Sequence, residues 1–93
     1  MFIPNVFTPN GDGANDIFIP EYNCNLVYYH LLIFDRWGER VFDTYGPTTG
    51  WDGTFKGKPC QEGVYAYSLE YSTTVEVGNV KTFHKKGSVT LLR

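Results

Sequence analysis

One stretch of this chain constrains its fold more than any other: Leu31-Leu32-Ile33-Phe34-Asp35-Arg36-Trp37-Gly38-Glu39-Arg40-Val41-Phe42. Two apolar, β-prone runs flank a short polar break. Asp35 is suited to start a turn, because its carboxylate can accept backbone N–H groups ahead of it. Gly38 is suited to end the turn, because it reaches positive φ without steric cost. The spacing predicts a β-hairpin. A second run, Gly63 to Tyr71, alternates strictly: Tyr65, Tyr67, Leu69 and Tyr71 share one face, and Val64, Ala66, Ser68 and Glu70 the other. It is expected to cover the hairpin.

The rest of the chain is cut into short runs by ten glycines and five prolines, so strands are expected between the turns. Phe2 to Phe7, interrupted by Pro4, reads as an edge or half-strand, and Ile17-Phe18-Ile19 as its resumption after a polar loop. Within the expected strand Val27 to Phe34, the run Tyr28 to Phe34 is largely apolar on both faces, as a central strand buried on both sides, or one at a sheet end, would be. Glu39 to Tyr45 is its return strand. Ser72 to Asn79 reads as a connection. Val80 to Lys85 and Ser88 to Leu92 read as two closing strands separated by Lys86-Gly87. No ten-residue window carries a helical stripe. These features predict an all-β, immunoglobulin-like antiparallel β-sandwich of about seven short strands. Ninety-three residues allow one domain over 1–93 with one modest core. The N-terminus lacks the basic-then-apolar pattern of a signal peptide, and the chain reads as a module excised from a longer protein.

Charge and hydropathy exclude several function classes. A formal charge of −2 gives no broad attraction to nucleic acid, and no apolar run approaches a transmembrane length. No catalytic constellation is visible. The serines lack a nucleophile elbow, the glutamates are scattered, and neither His30 nor His84 has an acidic partner identifiable from spacing.

Four features could carry binding. The loop Thr8 to Asp16 partly matches a calcium loop, with Asn10, Asp12 and Asp16 as side-chain ligands and Gly13 at the bend. Thr8 and Ile19 depart from the pattern at its first and last ligand positions. The loop is equally a set of Asx turns satisfying local N–H groups, which is the favoured reading. Cys24 and Cys60 each precede a predicted strand. A disulfide fits if those strands end at one edge, and two separate thiols fit as well. Trp37 sits at the hairpin tip, where an aromatic ring can stack on a sugar or a protein, whereas Trp51 is expected to cap the core. Lys81, Lys85 and Lys86 form a basic cluster of the kind that guards an edge strand from aggregation, and could also face a receptor.

Five segments in fixed order give the chain a wider resemblance. They are Phe7 to Phe18 (FTPNGDGANDIF), Ile33 to Phe42 (IFDRWGERVF), Gly50 to Gly57 (GWDGTFKG), Gly63 to Tyr67 (GVYAY) and Gly87 to Arg93 (GSVTLLR). Together they span nearly the whole chain and resemble the gliding-motility-associated C-terminal domain of Bacteroidetes, the type B sorting domain of type IX secretion. The resemblance implies a secretion tag without catalysis, carried by large exported proteins such as adhesins. Its implied partner is the type IX outer-membrane machinery, and its destination the cell surface or medium. It implies passage through an oxidising periplasm, which favours a Cys24–Cys60 bridge. It directs attention to Arg36, Trp37, Lys85, Lys86 and Arg93 as a recognition surface. The competing expectation is an adhesive or carbohydrate-binding module, stabilised by calcium.

Overall fold

The β-hairpin forms as its residues dictate. In the computed structural model, which describes all residues except 10, 12–15 and 23–24, the Asp35 carboxylate accepts the N–H groups of Trp37 and Glu39, both at 2.9 Å. The Asp35 carbonyl accepts the Gly38 N–H at 3.0 Å, and Gly38 takes φ +82°. The flanking strands are β2 (Leu26–Phe34) and β3 (Arg40–Thr44).

The other strands are β1 (Val6–Phe7), β4 (Thr54–Phe55), β5 (Lys58–Pro59), β6 (Gly63–Glu76) and β7 (Asn79–Leu91). One five-stranded sheet runs β1-β7-β6-β2-β3, and β4-β5 form a small ribbon. All pairings are antiparallel except β1 with β7, which is parallel. Facing the large sheet are short pieces: the bridges Phe2–Glu21 and Phe18–Trp51, and the ribbon. The all-β, sandwich-like architecture is the expected one. Its two layers are unequal, one continuous and one assembled from fragments.

Alternation decides what the core contains. Tyr29, Leu31 and Ile33 of β2, Tyr65, Leu69 and Tyr71 of β6, and Val89 and Leu91 of β7 all point inward and are buried. Leu31 lies opposite Leu69. Trp51, Phe7 and Phe18 fill the space between the layers, with Trp51 5.3 Å from Phe7 and 5.0 Å from Tyr65 between ring centroids. Trp51 therefore belongs to the core, as expected of a Trp in so small a domain. Gly50 is required beside it, because a Cβ there would lie 2.2 Å from the Ile17 side chain.

Five expectations need correction. β6 does not cover the hairpin but pairs with β2 in the same sheet, because both strands have one strongly apolar face and the two are used side by side. β2 is buried on one face only: Tyr28 is exposed, while Leu32 and Phe34 are half-buried, since no described element covers the outer side. Ile17 to Ile19 makes a single bridge, not a strand. The Ser72–Asn79 connection and the break at Lys86-Gly87 do not exist. β6 continues to Glu76, turns at Val77-Gly78 with Gly78 at φ +82°, and returns as unbroken β7. Gly87 stays in the strand because the Tyr67 ring lies across it: a Cβ at this position would stand 2.6 Å from the Tyr67 hydroxyl oxygen.

Candidate functional site

The residues singled out for recognition fall in two places. Arg36 and Trp37 stand at the hairpin tip, with Trp37 80% exposed and the Arg36 guanidinium 5.0 Å from its ring centre. This cation–π contact holds the indole outward on a turn whose geometry does not require it. Beneath the tip is a cleft of about 340 Å³ lined by Asp35, Arg36, Trp37, Cys60, Glu62 and Tyr65, among others.

Arg93 closes the same end of the sheet from the other side. Its Nη2 donates to the carbonyls of Gly53 at 3.0 Å and Cys60 at 2.9 Å, and its Nε donates to Cys60 at 3.1 Å. Its backbone N–H reaches Glu62 at 3.1 Å. The guanidinium therefore ties the last residue to two loops. Composition gave no hint of this, because the accepting groups are backbone carbonyls distant in sequence.

Burial pushes the Cys60 thiol up, against the smaller lowering effects of its hydrogen bond with Tyr65 and of Arg93. Burial likewise pushes the Tyr65 hydroxyl up, with Cys60 adding to it. Both shifts favour the protonated forms of these groups.

The Cys60 thiol is free and half-buried. Cys24 lies outside the described residues. Its neighbour Asn25 accepts the Thr74 N–H at 3.2 Å, toward the far end of β6 from Cys60. Of the suggested calcium ligands, Asn10 and Asp12 lie outside the described residues. Asp16 accepts the N–H of Gly11, five residues earlier, at 3.0 Å. Among the described residues no cluster of three or more His, Cys, Asp or Glu side chains could hold a metal ion.

Lys85 and Lys86 lie elsewhere, midway along β7, opposite Leu69 and Ser68. The histidines have acidic partners that spacing alone did not reveal. His30 Nε2 lies 2.7 Å from Asp43 and stacks on Tyr45 at 4.0 Å, and His84 lies 3.2 Å from Glu70. The signal was present in the register: β2 and β3 pair across the turn, and β6 and β7 pair His84 directly with Glu70.

The described residues of the five ordered segments mostly build this framework: Phe7, Phe18, Trp51, Tyr65, Val89 and Leu91 are core, Asp35 and Gly38 make the turn, and Arg93 locks the end. Among curated proteins, none matches the chain. The sequence model of the CHU_C Type IX secretion signal domain matches residues 1–91. With nearly its whole length matched, the chain belongs to the CHU_C type IX secretion signal domain family.

Proposed function

We propose that this domain is a folded address tag, read at its surface by the type IX outer-membrane machinery, which then exports the protein carrying it. The observation that carries the reading is the family match over residues 1–91. A type IX secretion signal directs export to the cell surface or medium, and the family is not a catalytic one. Recognition then depends on a folded surface, since the family's motif residues are largely spent on the core and turns. Arg36 and Trp37 exceed what the turn needs and are the side chains most available to be read there.

No helix among the described residues is long and apolar enough to cross a membrane. The adhesive or carbohydrate-binding alternative is not favoured, because the matched family is a secretion signal. A fusion of residues 1–93 to a periplasmic reporter, expressed in a type IX-competent host, tests the reading. Export of the reporter supports it. Retention in the periplasm, together with binding on a glycan array, would replace it with the adhesive reading.

A further inference from the structure

β7 is a thirteen-residue strand whose outer edge is covered only at one end by a described strand. β1 pairs with Thr90 and Leu91 and no further, and the preceding segment turns instead to Glu21 through the Phe2–Glu21 bridge. The N–H groups of Thr90 and Leu92 donate to β1 and its flank at 2.8 and 3.0 Å, so even-numbered residues face that edge. The β6–β7 register has no shift between Leu91 and Val80. Alternation therefore turns the N–H and C=O groups of Thr82, His84, Lys86 and Ser88 toward the same edge, where no described strand pairs with them.

These residues are also exposed on their side chains, and the edge is basic: Lys81, Lys85 and Lys86 line it within a chain of net charge −2. The carboxylate nearest His84, Glu70, is already engaged with it at 3.2 Å. A second copy of the chain paired antiparallel along this edge would bring two sets of lysines together, which opposes self-association. An extended segment bearing carboxylates meets both requirements, backbone pairing and charge.

We propose that the β7 edge from Val80 to Ser88 accepts an extended acidic strand of the export machinery by β-augmentation. The proposal rests on the sorting-signal reading above and specifies where that reading is executed. Backbone hydrogen bonds supply the affinity, and the lysines select an acidic strand.

The test uses the reporter fusion in a type IX-competent host. The double variant T82P/K86P removes two outward N–H groups and no backbone bond of the β6–β7 ladder, and T82A/K86A removes the same side chains, with the 2.8 Å hydrogen bond between the Thr82 and Ser72 hydroxyls, while leaving the backbone slots. Folding is followed by circular dichroism and melting temperature. Export is expected to fall about tenfold or more in the proline variant and to change little in the alanine variant. The triple reversal K81E/K85E/K86E leaves every slot in place and is expected to reduce export comparably; it decides the matter if the proline variant does not fold. Wild-type export by either folded variant, or equal loss in the alanine control, overturns the proposal. Failure of the unmodified fusion to be exported overturns the sorting reading itself, and this inference with it.

Discussion

Replacing Trp51 with alanine should come close to unfolding the domain. Trp51 is fully buried between Phe7 and Tyr65, and its indole N–H donates to the Thr54 carbonyl at 3.0 Å. Truncating a buried Trp costs about 3–5 kcal/mol, and stranding the Thr54 carbonyl adds about 1 kcal/mol. At about 0.05–0.15 kcal/mol per residue, a chain of 93 residues has about 5–14 kcal/mol of stability in all. Trp51→Ala therefore removes between a third and all of it. Trp51→Phe keeps most of the ring contact and loses the N–H, so its cost should be smaller. Urea melts followed by far-UV circular dichroism, extrapolated linearly to water, give both values. A loss below about 1 kcal/mol for Trp51→Ala would refute the reasoning that the two layers are held together through this residue.

Arg36→Ala and Trp37→Ala should each change stability by less than about 0.5 kcal/mol, since the turn is held by Asp35 and Gly38, and a urea melt checks this. Reporter export should nevertheless fall in both; unchanged export would reduce this turn to scaffold. Tyr29 should make the fold sensitive to alkali. Burial, with a smaller contribution from Tyr22, pushes its hydroxyl up to about 12, and the hydroxyl has no hydrogen-bond partner among the described residues. Because the raised value belongs to the folded state, this stability is present below pH 10 and is lost as pH rises toward 12. Tyr29→Phe should flatten that loss without lowering stability at pH 7, as pH-dependent melts would report. Alkylation of the denatured, unreduced protein should label Cys60, whose thiol is free. Peptide mapping reads this, and a Cys60 peptide labelled only after reduction would contradict it.

The strands and their inner faces were legible because they rest on local rules. Period-two alternation placed Tyr65, Leu69 and Tyr71 on one buried face, and the Asp35–Gly38 turn follows from side-chain chemistry within five residues. What the sequence concealed depends on neighbours distant along the chain. Gly87 looks like a strand break until the Tyr67 ring is seen to require it. Ser72 to Asn79 looks like a polar connection because its side chains mostly lie beyond the core, yet its backbone continues the β6–β7 ladder. The recognition candidates separated for the same reason: Arg93 is engaged by carbonyls from two loops, and the open edge at Lys85 and Lys86 arises from where β1 stops.

The central claim is that this folded domain suffices as a type IX address. Its most direct test is secretion of a reporter carrying residues 1–93, compared between a type IX-competent strain and the same strain lacking the outer-membrane translocon. The account predicts reporter at the surface or in the medium of the first strain and periplasmic retention in the second. Retention in both strains, with the domain folded, would contradict it.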